Sequence, residues 1–223
     1  MNWKKYWDRI AINNPHNKIS QVQRKDEEST LLTVNHIARI LDITREDKVL
    51  DVCCGNGIIT CEIAKKCKFI IGVDQSENLL NAAKTGVKEL NIKYVNGSAL
   101  RLSELLNGQK FDKIYMQFSF QYFDKKNQGN KVISELLKCL NPNGKIFIGD
   151  IPECDKFSEY YNTVMKKIRF YKDRLLLKNE MGKFWKVTKI DAICKGFGVK
   201  GTYLKQPQEC PYSYYRFDYL IEN

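Results

Sequence analysis

A length of 223 residues suits one α/β domain that buries a sizeable core. The hydrophobic share of 43% and the aromatic share of 12% are typical of a globular protein and exclude a disordered one. The formal net charge of +11 suits a partner that is an anionic small molecule, RNA or a membrane surface, but a lysine-rich solvated face gives the same charge. Residues 156–206, the basic segment below, hold thirteen lysines and arginines against four acidic residues.

The sequence shows no pattern of a membrane span, a signal peptide or a metal site. No stretch approaches the roughly 18 consecutive apolar residues that span a bilayer. No apolar run follows the charged N-terminal residues, as it would in a signal peptide. We therefore expect a cytoplasmic protein with reduced thiols. The eight cysteines include no Cys-x-x-Cys pair and neither histidine lies near a cysteine, so the sequence predicts no metal site.

Helical and strand-like patterns alternate along the chain. A helix is predicted over 29–42, with Ser29 as its N-terminal cap. After it, apolar runs of strand length alternate with helical patterns, which is typical of βαβ units and a parallel sheet. The predicted parallel strands are 48–53, 69–74, 92–95, 111–117 and 145–150. Helices are expected from the loop after the first strand to about residue 67, and over 76–90 and 131–140.

The last third of the chain changes pattern. An Asn-Pro-Asn-Gly run at 141–144 predicts a sharp stop before the fifth strand. A basic helical stretch is predicted over 155–183, then a helix over 189–195 capped by Thr188. Two strand-like runs close the pattern, at 199–204 and 214–221. They predict an antiparallel hairpin, and hence a seven-stranded α/β sheet, mostly parallel, with helices on both faces.

Chemically distinctive residues follow the first two predicted strands. In an open parallel sheet, ligands bind beyond the carboxyl ends of the strands, where the strand order reverses. Gly55 and Gly57 allow a sharp turn and a close approach of a ligand to the main chain. The next helix presents N–H groups to a carboxylate or phosphate. Asp51 can accept hydrogen bonds from an ammonium group, and Asp74 can bind both hydroxyls of a ribose.

A nicotinamide dinucleotide and S-adenosylmethionine (SAM) both fit such a loop. The dinucleotide fingerprint needs a third glycine at the position that Thr60 occupies, which excludes that alternative. Residues 49–57 instead resemble the first motif of the class I SAM-dependent methyltransferases. Cys53 replaces the first glycine of that motif, a variant shared with enzymes similar to the quinone-pathway methyltransferases.

Four further motifs extend the resemblance in the same order and spacing. Residues 71–74 resemble the second motif, with Asp74 as the ribose acid. Residues 96–99 stand where the family often has Gly-Asp-Ala, and Ser98 replaces the acid that receives the adenine amino group. Residues 111–117 resemble the fourth motif, and 140–145 resemble the stop before the fifth strand.

The resemblance implies a Rossmann-like fold, SAM as the cofactor and S-adenosylhomocysteine (SAH) as the product. It also implies a set of cofactor-binding residues: Asp51, Cys53, Gly55, Asn56, Gly57, Asp74, Gln75, Leu79, Ser98, Ala99, Gln117 and Phe118. We expect a single domain over 1–223, with an N-terminal lid segment at 1–30 and a helical substrate-side insertion at 151–187.

Methyl transfer needs no side-chain nucleophile, but an alcohol or ammonium acceptor needs a base. The candidates are His16, Asp150, Tyr6 and Tyr122. His16 falls in the expected lid, although an ordinary loop histidine gives the same pattern. Asp150 ends a strand or caps a turn. The tyrosines belong to aromatic runs that form either the cavity wall or the core.

The acceptor is least defined by the sequence. The Asn/Asp-Pro-Pro-Tyr/Phe motif of enzymes that methylate amide or base nitrogens is absent after the fourth strand, where Gln117 begins a different run. We therefore expect an O or N atom of a small metabolite, and the basic segment suggests an anionic one. Methylation of RNA or protein, and a non-catalytic SAM-binding subunit, remain alternatives. The oligomeric state stays open.

Overall fold

A computed structural model describes residues 1–13, 27–85, 91–123, 125–210 and 212–222. Within them, seven strands form one sheet: β1 (Lys48–Val52), β2 (Phe69–Asp74), β3 (Ile92–Asn96), β4 (Phe111–Gln117), β5 (Leu140–Pro152), β6 (Lys200–Lys205) and β7 (Arg216–Glu222). Their order is β3-β2-β1-β4-β5-β7-β6. The first five are mutually parallel, and β7 pairs antiparallel with both β5 and β6. The predicted sheet is therefore confirmed.

Helices cover both faces of this sheet. In chain order they are α1 (Trp3–Asn13), α2 (Glu27–Leu41), α3 (Ile58–Ala64), α4 (Glu77–Thr85), α5 (Leu102–Leu105), α6 (Gln128–Lys138), α7 (Phe157–Tyr160), α8 (Val164–Leu175) and α9 (Val187–Gly196). Successive strand residues point to opposite faces. Leu50 and Ile114 thus pack with α6 and α9 on one side, while Val49 and Tyr115 pack with α2 and α3 on the other.

Two predicted helix caps are wrong. The helix α2 begins at Glu27, so Ser29 lies inside it and its carbonyl accepts a hydrogen bond from the Thr33 hydroxyl at 2.9 Å. Two glutamates occupy the first turn of α2, where negative charge favours the helix dipole. The helix α9 begins at Val187 after Lys186, so Thr188 is also one position inside.

The predicted helical stretch at 155–183 is only partly helical. It contains α7 and α8, and residues 176–186 are irregular. The helix α8 ends because Leu177 takes a left-handed φ of 55°, and the Lys178 N–H donates back to the Asp173 carbonyl at 2.7 Å. The Asn179 side chain then accepts from the Met181 N–H and donates to the Gly182 carbonyl, which favours a turn. Gly182 then takes a positive φ of 74°.

The run at 141–144 was predicted to stop the preceding helix, but α6 already ends at Lys138 and the run lies inside β5 as a bulge. Leu140 pairs with Phe111, and pairing resumes between Lys145 and Lys113, so the register shifts in between. Asn143 there has a φ of 62°. The extra residues bend the strand without ending it.

A buried carboxylate joins three elements beneath the loop after β1. Oδ2 of Asp51 accepts hydrogen bonds from the Thr60 hydroxyl of α3 at 2.6 Å and from the Tyr115 hydroxyl of β4 at 2.7 Å. Burial raises the pKa of Asp51 to about 7, although these two hydrogen bonds oppose the rise. Asp51 thereby fixes where α3 begins relative to the sheet.

Left-handed backbone follows the strands on either side of the reversal in strand order. Cys53, directly after β1, has a φ of 62°, and Phe118, directly after β4, has a φ of 55°. A side chain at positive φ costs roughly 1–2 kcal/mol relative to glycine. The glycine that the first motif usually carries at Cys53 is thus explained by backbone geometry.

Cys53→Gly should therefore be more stable than Cys53→Ala, by about 0.5–1 kcal/mol in the free energy of unfolding. Relief of the left-handed strain outweighs the entropy that glycine loses on folding. Urea unfolding of both variants measures the difference. The neighbouring Cys54 is the matched control, because its φ is not positive and alanine should there be the more stable choice. The same order at both positions would contradict the explanation.

The buried Asp51 should also give the stability of the ligand-free protein a distinct pH dependence. Its pKa is about 7 when folded and about 3.9 when unfolded. Between these values the folded state holds a proton that the unfolded state has lost. The free energy of unfolding should therefore fall as pH rises, by up to about 1.4 kcal/mol per pH unit.

Urea unfolding between about pH 4.5 and about pH 7.5 checks this expectation in the wild type and in Asp51→Asn. The variant should lose this component of the slope, whereas Glu46→Gln, at an exposed position near the start of β1, should keep it. Parallel pH profiles for the wild type and Asp51→Asn would contradict the role assigned to Asp51.

Candidate functional site

A cavity of about 350 Å³ lies beyond the carboxyl ends of β1, β2, β3 and β4. The strand order reverses between β1 and β4, so the cavity lies at the switch point where open α/β sheets bind ligands. Ten of the expected cofactor-binding residues line it: Asp51, Cys53, Gly55, Asp74, Gln75, Leu79, Ser98, Ala99, Gln117 and Phe118. Asn56 and Gly57 are not among its lining residues.

Asp74 is held at the end of β2 by main-chain donors. Its Oδ2 accepts from the Gly55 N–H at 2.9 Å, and its Oδ1 accepts from the Ser76 N–H at 2.8 Å. Burial raises the pKa of this carboxyl, and the two N–H groups oppose the rise. Each oxygen of a carboxylate has a second lone pair. Asp74 is therefore oriented with acceptor capacity for two neighbouring hydroxyls.

The glycine loop is shaped by the protein itself. Gly57 has a φ of 75°, and a Cβ added there would lie 2.3 Å from the Tyr94 hydroxyl of β3. The close approach expected of a ligand at Gly57 is thus made by Tyr94. At Gly55, which lines the cavity, the N–H group is already bound by Asp74.

Ser98 lies at the turn after β3. Its hydroxyl accepts a hydrogen bond from the Leu100 N–H at 3.3 Å and so caps the short 3₁₀ turn. Gly97 and Ala99 line the cavity beside it. The hydroxyl hydrogen of Ser98 can still donate, so this position can supply a donor where the resembling family has an acid.

The helix α1 contributes an aromatic wall. Trp3 and Trp7 line the cavity, and their rings lie 4.4 Å and 5.6 Å from the ring of Tyr122. The helix is fastened to the site at Asp8, whose Oδ1 accepts from the Ser76 hydroxyl at 2.6 Å. Ser76 is the residue whose main chain orients Asp74, so α1 and Asp74 share one support.

The four candidate bases fall in different places. His16 lies outside the described residues. Tyr122 lines the cavity, whereas Tyr6 and Asp150 are not among the lining residues. Tyr6 packs against both tryptophans of α1, and burial together with Glu180 raises its pKa to about 12.

Asp150 lies behind the cavity wall. It is fully buried and accepts hydrogen bonds from the side-chain amides of Gln117, at 3.2 Å, and Gln206, at 3.3 Å. Its N–H donates to Asp218 at 2.8 Å. Gln117 lines the cavity and so connects this side chain to it, and Asp150 positions the Gln117 amide.

Several lining residues were not foreseen from the sequence. Trp3 lies four residues before Trp7, a helical spacing that would have placed both on one face. Lys125 and Gln128 also line the cavity, and no motif marks them. Arg216 of β7 lies just behind, with its guanidinium carbon 3.9 Å from the centre of the Phe118 ring.

Among the described residues, no group of three or more His, Cys, Asp or Glu side chains is placed to hold a metal ion. No described helix is both long and apolar enough to cross a membrane. The polar groups that line the cavity are carboxylates, amides, hydroxyls, main-chain groups and the side chains of Lys4 and Lys125, which suit an organic ligand.

Residues 49–144 match the family model described as a methyltransferase domain. The demethylmenaquinone methyltransferase of Bacillus cereus is 31% identical over 117 residues, which are 48% of this chain and 46% of that protein. The chain spans about half the length of the curated relatives it matches.

Solved structures extend the likeness to the whole fold. An S-adenosylmethionine-dependent methyltransferase from Clostridium acetobutylicum superposes with a TM-score of 0.67 at 15% identity, covering 97% of this chain and 98% of that one. The magnesium protoporphyrin IX methyltransferase of Synechocystis, solved with SAH bound, also gives 0.67, at 13% identity and with 99% and 97% covered. Residues 49–144 therefore match a methyltransferase domain, and the chain has the fold of these two methyltransferases.

Proposed function

We propose that this chain transfers the methyl group of SAM to an O or N atom of a small, anionic metabolite. The observation that carries the proposal is the cavity at the switch point, with Asp74 held there by the N–H groups of Gly55 and Ser76. Two anchored oxygens with remaining lone pairs match the two hydroxyls of a ribose. The methyltransferase domain match over 49–144 supports the same chemistry.

The donors and acceptors of the cavity fit SAM along its length. Asp74 would hold the ribose, and Ser98 would face the adenine edge. Both hydroxyls that bind Asp51 donate to Oδ2, so Oδ1 is the oxygen left for an ammonium group. SAM supplies an electrophilic methyl group on a sulfonium, and the protein has to bind, orient and exclude water.

The described residues of the cavity wall are better suited to orienting the methyl acceptor than to removing a proton from it. Burial holds the pKa of Tyr122 well above its usual range, so its phenol stays protonated at neutral pH. It can therefore donate a hydrogen bond to an acceptor and does not act as a base. Asp150 would act through the Gln117 amide as a positioning residue. The same reasoning applies to Tyr6, whose pKa is raised to about 12 and which is not among the cavity's lining residues. His16 remains the proposed base.

Two cations favour an anionic acceptor. Lys125 lines the cavity, and Arg216 lies behind Phe118 with only 1% of its surface exposed. Its Nε has no hydrogen-bond partner among the described residues, and one N–H donates to the Asp150 carbonyl. A buried guanidinium attracts negative charge strongly because little water screens it. Attraction of an anion to this wall is the proposed basis of acceptor choice.

Asp74→Ala should lower the affinity for both SAM and SAH by about 1–3 kcal/mol, which is roughly 5- to 150-fold in Kd. The loss follows because the ribose hydroxyls would have no acceptor. Calorimetry with each ligand measures it, and Asp74→Asn separates the loss of charge from the loss of shape. Glu46→Gln is the control at an exposed position. An unchanged affinity in a folded Asp74→Ala protein would show that the ribose lies elsewhere.

A preference for an anionic acceptor can be tested with matched pairs of metabolites, each consisting of a carboxylic acid and its amide. We expect the acid to give the higher kcat/KM in methyl transfer from labelled SAM. Lys125→Gln should reduce that preference by about tenfold, the effect of one charge at a partly desolvated site. Lys126→Gln, the adjacent exposed lysine outside the lining, is the control. Equal rates for acid and amide across the pairs would contradict the assignment.

A further inference from the structure

The helix α8 is attached to the protein by one face only. Phe170 is its buried residue, and its ring lies 4.9 Å from Phe157 and 4.8 Å from Tyr161. These rings form an aromatic cluster with Phe184 and Tyr215 beneath the helix. The cluster fixes which side of α8 faces the protein, and therefore which side faces outward.

The outward side of α8 is apolar. Val164, Ile168, Tyr171 and Leu175 are exposed to 73%, 55%, 59% and 84%. Their spacing of four, three and four residues places them on one stripe of a helix. At 100° per residue the stripe spans about 60° and is centred about 130° from Phe170. We call these four residues the outer stripe.

More apolar side chains extend the outer stripe at its ends. Met165 is 72% exposed, and Leu176 and Leu177, just after the helix, are 50% and 68% exposed. Globular proteins expose single apolar residues routinely, but a contiguous group of this size marks a surface that something covers. No other described segment of this length exposes so many large apolar side chains.

Cations flank the outer stripe on both sides. Residues 164–178 contain six lysines and arginines: Lys166, Lys167, Arg169, Lys172, Arg174 and Lys178. Asp173 is their one acidic neighbour in this range, and it lies 3.6 Å from Arg169. Helical geometry places Lys172 on one side of the stripe and Lys167 and Arg174 on the other. The partner must therefore be apolar at its centre and negative around it.

An anionic lipid bilayer has that chemistry. A second copy of the chain would bring these cations against the same cations in a symmetric contact, which disfavours it. RNA would match the charge, but only Tyr171 of the outer stripe offers a ring on which a base could stack. Acyl chains accept aliphatic side chains, and lipid phosphates accept lysine and arginine.

We propose that α8, with residues 176–178, binds the surface of an anionic membrane. The helix would lie in the plane of the interface, with the outer stripe in the acyl boundary and the flanking cations among the headgroups. Its 12 residues are too few to span a bilayer, so the attachment is peripheral. This inference goes beyond the proposed function, because none of these residues lines the cavity.

Vesicle sedimentation with the full chain tests the proposal. The probes are vesicles of phosphatidylcholine alone and of phosphatidylcholine with about 30% phosphatidylglycerol, at low and moderate salt. We expect binding to the anionic vesicles, much weaker binding to the neutral ones, and loss of binding as salt rises. Ile168→Ser with Leu175→Ser should weaken it by about tenfold or more. Lys172→Gln with Arg174→Gln should remove the preference for anionic lipid.

Two variants outside α8 serve as matched controls, one for the apolar changes and one for the lysine and arginine changes. Leu31→Ser changes an apolar residue that is 41% exposed, and Lys84→Gln changes an exposed lysine of α4. Both should leave vesicle binding unchanged. Affinity for SAH, measured on the same samples, reports folding and the proposed function separately from vesicle binding.

Three results would overturn the proposal. The first is no binding to anionic vesicles at low salt, and the second is binding that the Ile168 and Leu175 changes leave intact. The third is tight RNA binding or self-association that masks the outer stripe and prevents vesicle binding. Loss of SAH binding with intact vesicle binding would instead count against the proposed function alone.

Discussion

The carboxylate of Asp51 is the point on which the site depends. It is buried where β1 ends, and it is held by hydroxyls from α3 and β4. Because β1 and β4 are the strands between which the sheet order reverses, these two bonds fix the geometry of the switch point. The loop between Asp51 and α3 must then turn within a few residues, which forces Cys53 to the left-handed backbone and brings Gly57 against Tyr94. The costly burial of the Asp51 carboxylate and the strained backbone at Cys53 thus both follow from the tight connection between β1 and α3.

The sequence predicted the sheet well because parallel strands buried on both faces carry continuous apolar runs that vary little in pattern. The strands β2 and β4 were predicted to the residue. Helix starts were less predictable, because Ser29 and Thr188 have capping side chains but the helices begin two residues and one residue earlier. A cap depends on where packing lets the helix begin, and a local pattern does not contain that information. The irregular stretch after α8 is a similar case, since the helix ends at a left-handed Leu177 that no local pattern marks.

The cavity residues near strand ends were more predictable than the rest of the cavity wall. Asp74 and Gln117 end their strands and Ser98 follows β3, and the parallel strands bring their carboxyl ends to one edge of the sheet. Trp3, Lys125 and Arg216 come from a helix, a loop and an antiparallel strand that meet only in the folded chain. Asp150 is a residue whose position in the sequence was misleading. It was expected to end the fifth strand, but β5 continues to Pro152 with a shift in register against β7 around this residue. Its carboxylate accepts hydrogen bonds from Gln206 and Gln117.

The position of β7 between β5 and β6 has a consequence for the order in which the molecule is assembled. It is the last described strand in the sequence and an interior strand of the sheet. During synthesis, β5 therefore leaves the ribosome with one hydrogen-bonding edge unsatisfied, and β6 has no strand to pair with until Arg216 to Glu222 emerge. Until β7 has been synthesised, the free edge of β5 must not pair with strands of other chains. Asp218 then completes the sheet: its carboxylate meets His36 of α2 at 2.8 Å and the Asp150 N–H at 2.8 Å, joining an early helix to the final strand.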